Sequence, residues 1–98
     1  MRHWKGKVTV SDSSGVRVRD TVADCWVEDP TSMKLGEWGG SFRVGVEVNA
    51  NDLVGTGGTI ETESRNRGEI MVKQVTVRVV GGSVLQGVIF QGTGPAPF

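Results

Sequence analysis

Apolar residues recur at every second position through most of this 98-residue chain, and that period decides what it can fold into. Side chains of a β-strand alternate between two faces, whereas an amphipathic helix needs apolar positions three and four apart. Trp4, Gly6, Val8 and Val10 share one phase, and Lys5, Lys7 and Thr9 the other. Trp38, Gly40, Phe42, Val44, Val46 and Val48 alternate with Gly39, Ser41, Arg43, Gly45, Glu47 and Asn49. No stretch holds the helical spacing over two turns. Fifteen glycines, with abundant Val and Thr, supply turns and strand formers.

The alternation predicts strands over 4–10, from Val16 to about Val27, 38–49, 59–64, 69–80 and 84–91. Ser11-Asp12-Ser13-Ser14-Gly15, Arg65-Asn66-Arg67-Gly68 and Gly81-Gly82-Ser83 read as hairpin turns. Two strands change phase. Val16, Val18 and Val22 point inward in one register, Ala23, Cys25 and Val27 in the other, so a bulge is expected near 20–23. Ile70 and Val72 give way to Val75, Val77 and Val79, which places a second bulge near Lys73 and Gln74. Long bulged strands let a small sheet curl onto itself. The expected fold is all-β, a single small antiparallel barrel of about six strands, with a two-sheet sandwich as the alternative. Residues 1–92 form one domain and 93–98 a Pro-containing tail.

Trp4-x-Gly6-x-Val8-x-Val10 and Trp38-x-Gly40-x-Phe42-x-Val44 share one pattern, and Leu85-x-Gly87-x-Ile89 is a weaker third copy. An indole two residues from a glycine shares its face. It can lie over the bare glycine of its own strand or of a neighbour, as core packing at a tight corner.

Charge is balanced, eleven bases against eleven acids, so no global field draws the chain to nucleic acid or to a membrane surface. No apolar run approaches transmembrane length, and Met1-Arg2-His3-Trp4-Lys5-Gly6-Lys7 lacks the apolar region of a secretory signal. The one cysteine, Cys25, cannot form an intramolecular disulfide, and its apolar phase marks a buried thiol. These features favour the reducing cytoplasm.

The residues of common catalysis are scarce. His3, the single histidine, stands two residues from the start of the sequence, where chains are usually loose, and is poorly placed for a preorganised triad. Gly55-Thr56-Gly57-Gly58 lacks the Lys-Ser/Thr ending of a phosphate loop. Glu61 and Glu63 share a strand face but have Arg65 and Arg67 beside them. Neither a cofactor nor a metal site is expected. The most pointed cluster is basic. Pairing Val10 with Val16 would set Lys7 opposite Arg19, flanked by Lys5 and Arg17. Like charges across a strand pair repel, and an acidic partner or acids such as Glu61 and Glu63 on an adjoining strand would relieve them.

Trp38-Gly39-Gly40-Ser41-Phe42, Gly58-Thr59-Ile60, Arg67-Gly68-Glu69-Ile70-Met71-Val72 and Phe90-Gln91-Gly92-Thr93-Gly94-Pro95 resemble small bacterial β-domains of uncharacterised function. The resemblance covers about the last two-thirds of the chain and rests on turn and packing residues. It implies a small β-fold and carries over no activity.

The expected function is a non-catalytic binding or assembly module of bacterial type, with a protein partner or a second copy, paired through a strand edge or sheet face. The alternative is an enzyme or small-ligand protein using Glu61, Glu63 or Asp52 with Arg43 or Arg78 at a barrel mouth. A narrow six-stranded barrel filled by Trp4, Trp38, Phe42, Phe90 and valines leaves little room for it. A third reading, nucleic-acid binding through Lys5, Lys7, Arg17 and Arg19, is disfavoured because Trp4 and Trp38 fall on the apolar side. Pro95 and Pro97 stiffen the tail, so Phe98 is expected to dock near Trp4 or Trp38 and close the mouth, or to pack on a second copy.

Overall fold

The computed structural model describes residues 2–13, 15–29, 36–45, 54, 55 and 57–98, with the side chain of Arg17 outside that description. The described residues form β1 (Arg2–Asp12), β2 (Gly15–Val27), β3 (Trp38–Gly45), β4 (Gly57–Thr62), β5 (Arg67–Val80) and β6 (Ser83–Gly92), and no helix. The ladders between strands are antiparallel, and their order β1-β2-β3-β6-β5-β4 returns to β1, which pairs with both β2 and β4. One sheet closes on itself, as a barrel rather than a sandwich. A lone parallel bridge joins Val54 to Val72.

The alternation sets the interior. Val8 and Val10 of β1, Ala23 and Cys25 of β2, Phe42 of β3, Ile60 of β4, Ile70 of β5, and Val88 and Phe90 of β6 are all buried. Each large apolar side chain removed from water contributes on the order of 1.5–3 kcal/mol, an upper estimate because unfolded chains already bury part of it. Gln86, also inside, donates its Nε2 proton to the Gly45 carbonyl at 2.8 Å, so the buried amide is not left unpaired. Gly40 is the tightest strand contact. A methyl there would meet the Asp24 carbonyl of β2 at 2.5 Å, so Gly40 serves strand approach rather than a seat for Trp38.

The bulge at Lys73 stands where the phase change predicts it: Val72 pairs with Phe90 and Gln74 with Ile89. In β2 the extra residues come earlier and twice. Val8 pairs with Thr21, Val10 with Val18 and Ser11 with Val16, so Arg19 and Asp20 together face Thr9, one residue too many, and Arg17 is a second insertion. Asp20 takes the left-handed backbone at φ 51°, one of the few non-glycine types that tolerates it. β1 also runs on to Asp12, opposite Gly15, so the hairpin loop is tighter than expected. The Val10–Val16 and Lys7–Arg19 pairings therefore do not form. Val16 and Val22, expected inside, are 46% and 48% exposed, because the insertions turn them outward.

Other expectations shift in the same way. The β4–β5 turn occupies 63–66, with Arg65 left-handed at φ 65° and its N–H donated to the Thr62 carbonyl at 2.9 Å. Leu85, Gly87 and Ile89 lie on the outer face, opposite Arg78, Thr76 and Gln74, so the third copy of the Trp-Gly pattern does not face the interior as the first two do. β3 is described to Gly45, and the expected continuation through Val46, Val48 and Asn49 lies outside the described residues.

The barrel has an extension. The far half of β5 continues as an arm beside β6, which β3 accompanies as far as Leu85; Val79, Val80, Ser83 and Val84 then run on as two strands to the turn at Gly81 and Gly82, and the molecule measures 47 × 29 × 25 Å. Val75 packs against the core, but Val77 and Val79 on the same face are 63% and 72% exposed.

Candidate functional site

Three regions carry the residues that matter: the mouth where β1, β3 and β5 begin, the outer face of β1-β2-β3-β6, and the arm.

At the mouth, Trp38 is 2% exposed, and its indole lies across Gly92 of β6 and Gly68 of β5. A methyl on Gly68 would stand 2.9 Å from the ring, and a methyl on Gly92 would overlap it. The indole N–H donates to the Gly94 carbonyl at 2.6 Å, which ties the tail to β3. Phe98 stacks on Trp4 with centroids 4.8 Å apart and planes 8° from parallel, and meets Trp38 edge-on at 5.4 Å. Pro97 is buried against Gly68. Trp4 lies over Gly6 of its own strand, where a methyl would meet the ring at 2.7 Å. Aromatic and proline carbon fills this end, and the offset and edge contacts add roughly 0.5–1.5 kcal/mol per pair beyond burial. Beside the tail a cleft of about 540 Å³ is lined by Arg2, Glu28, Glu37, Trp38, Pro95 and Phe98 among others.

The carboxylates expected at a mouth do not gather there. Glu61 turns outward and takes an ion pair from Nε of Arg67, its partner across β4 and β5, at 3.3 Å. Glu63 is exposed in the turn, Arg43 and Arg78 lie on the outer face, and Asp52 lies outside the described residues. Among the described residues no group of three His, Cys, Asp or Glu side chains is arranged to hold a metal ion.

The outer face changes the basic cluster. Lys5 sits opposite Asp24 and Lys7 opposite Val22, so the like-charge pairing disappears. β4 does adjoin β1: Glu61 stands opposite Thr9, diagonal to Lys7, and Glu63 lines a cleft with Lys7, so these acids come beside Lys7 and not beside Lys5. Arg19 is exposed in the bulge, and the side chain of Arg17 is outside the described set. Arg43, opposite Gly87, and Arg78, opposite Leu85, are exposed on this same face. Trp26 belongs here too. It is half-buried, paired with His3 and Gly39, and its ring covers the space a methyl on Gly39 would take. Its parity with Asp24 and Glu28, both polar, is the signal in the sequence that points it outward.

Cys25 is buried, and its thiol is pushed up to about 12, by burial first and by the Asp24 carboxylate second. A thiol held neutral at physiological pH is a poor nucleophile and metal ligand.

The arm presents the least satisfied surface. β6 is covered by β3 from Leu85 to Gln91, and β5 by β4 from Arg67 to Met71. Beyond the Lys73 bulge, the side of β5 away from β6 has no partner strand over 74–80 among the described residues. Val77, Val79, Val80 and Val84 are exposed around it. No helix of the described residues is long and apolar enough to cross a membrane.

No family model matches the chain, and neither curated proteins nor solved structures give a significant match.

Proposed function

We propose that this chain is a non-catalytic binding and assembly module that associates with a second copy of itself through the arm. One observation carries the reading. Among the described residues no strand pairs with the outer side of β5 over 74–80, a segment with four valines and a single charged residue, Arg78. Natural sheets blunt such edges with charge, proline or a covering element, and an uncovered valine-rich edge is a template for another strand. Val77 and Val79 at 63% and 72% exposure add apolar area that association would remove from water. The lone buried thiol fits a reducing compartment, which supports a cytoplasmic setting for the module. Sedimentation equilibrium across a hundredfold concentration range tests the reading. A mass that rises from one chain to two supports it, and a single-chain mass throughout overturns it.

A second reading draws on the outer face. Lys5, Lys7 and Arg43 are exposed there, with Trp26 half-buried at the mouth end of the same face and Asp24 the acid beside Lys5, and Arg78 extends the face onto the arm. A sheet face that carries exposed cations and one aromatic ring suits a single-stranded nucleic acid better than a duplex. Fluorescence anisotropy of a labelled 20-nucleotide poly(dT) at low salt checks it. Binding that weakens as salt rises and on R43E/R78E supports it, and unchanged anisotropy removes it.

A further inference from the structure

Resting on the assembly reading, we infer that two copies pair antiparallel along 74–80 of β5, about a two-fold axis that passes through Val77.

The hairpin turn fixes which backbone groups are open. Gly81 and Gly82 both have positive φ, 57° and 82°, the pattern of a two-residue turn of type I′. In such a turn the flanking residues, Val80 and Ser83, form the hydrogen-bonded pair. Bonded and non-bonded pairs alternate along an antiparallel ladder. Arg78 with Leu85 and Thr76 with Gly87 are therefore bonded pairs, and Val79, Val77 and Val75 face Val84, Gln86 and Val88 as non-bonded ones. The N–H and C=O groups of Val75, Val77 and Val79 consequently point away from β6, toward the side that no strand of the described residues covers.

A two-fold axis must place a residue opposite itself or pass between two residues. An axis at Val77 sets Val77 against Val77 of the second copy, and Val75 against Val79 in both directions. All three of the outward-pointing residues then fall in bonded pairs, each exchanging two N–H···O bonds. An axis at Thr76 would instead set Val79 against Lys73, the bulged residue, and lose that pair. The Val77 axis also gathers both sets of valines on one face of the joint sheet, where cross-strand β-branched pairs are favourable. On the other face Arg78 sits opposite Thr76, not opposite itself. The two Arg78 side chains are diagonal neighbours, the one repulsion in this register, and salt screens it.

The test uses the full chain carrying V77C, a position exposed enough to accept the change without unfolding, as circular dichroism will check. Across the axis the two Cα atoms stand about 5.5 Å apart, inside the disulfide range of roughly 4.4–6.8 Å. Mild oxidation is expected to convert V77C to a covalent dimer. A mixture of T76C and R78C chains should cross-link far more than either alone, and V16C, exposed elsewhere, should not. In sedimentation, R78T is expected to tighten the dimer about threefold, and V77D to weaken it at least about tenfold by setting two carboxylates face to face. A dimer of the unmodified chain in which V77C resists cross-linking, while T76C alone links, overturns the register and leaves the assembly reading standing. A chain that stays monomeric at every concentration overturns both.

Discussion

The mouth and the arm are built from the same alternating sequence grammar and end in opposite states. At the mouth, Trp38, Phe90, Trp4 and Phe98 stand in contact, and glycines at 6, 68 and 92 make room for the rings. Along the arm, Val75, Val77 and Val79 keep the same phase as buried residues, yet exposure rises outward from Val75, half-buried, to Val79 at 72%. The mouth has three strands' worth of side chains converging on one axis and a tail folded over them. Along the arm β5 is the edge of a sheet with β6 and β3, narrowing to two strands beyond Leu85, and among the described residues no strand pairs with its outer side. Apolar alternation supplies a face; what covers that face is decided by how many strands reach it.

If that contrast is right, substitutions should sort by region. The largest effect belongs to Trp38. W38A removes a buried indole, its bond to Gly94 and its contacts with two glycine seats, and should cost about 3–5 kcal/mol in urea unfolding. A loss under about 1 kcal/mol would mean that the mouth is not a packed core.

The interior between the two regions gives a pH signature. With the folded Cys25 pKa raised from 9.0 to about 12, the unfolded thiol ionises first. The stability that depends on a neutral thiol is complete below pH 9 and is lost as pH rises toward 12. The stability of the parent relative to C25A should fall between pH 9 and 11 by up to ~1.4 kcal/mol per pH unit. A difference independent of pH would show that the thiol is solvated.

Phe98 tests the mouth's outer layer. F98A should lower stability by roughly 1–2 kcal/mol, because the ring is part-buried and stacked on Trp4. Unchanged melting on removal of residues 96–98 would show that the tail contributes nothing to the barrel.

The smallest effect is expected on the arm. V77T/V79T should leave the unfolding free energy of the monomer within about 0.5 kcal/mol of the parent. A loss comparable with that of F98A would mean that these valines are covered in solution, and the distinction between the regions would narrow.

The fold was largely legible. Alternation located the strands, and the phase break near Lys73 and Gln74 located a bulge, which falls at Lys73. The β1–β2 register was not legible, because two insertions in β2 cannot be separated from one by counting valines. Val16 and Val22 then fell on the wrong side, and with them the Lys7–Arg19 pairing. The exposure of Val77 and Val79 was hidden for a different reason: parity names the face a side chain occupies and is silent about how far the barrel wall extends. Trp26 was readable from its polar-phase neighbours, but a tryptophan among valines invites assignment to the core.

The three tryptophans enter the barrel as neighbours, since Trp4 pairs with Cys25, Trp26 with His3 and Trp38 with Val27. Every intrinsic indole reporter therefore sits at one end, and the arm has none. Emission will follow the melting of the mouth and stay silent if the arm frays first, whereas the far-ultraviolet amide signal will register both. Two optical probes of one unfolding experiment should then disagree at low denaturant and merge at high, a divergence that measures how loosely the hairpin is coupled to the barrel.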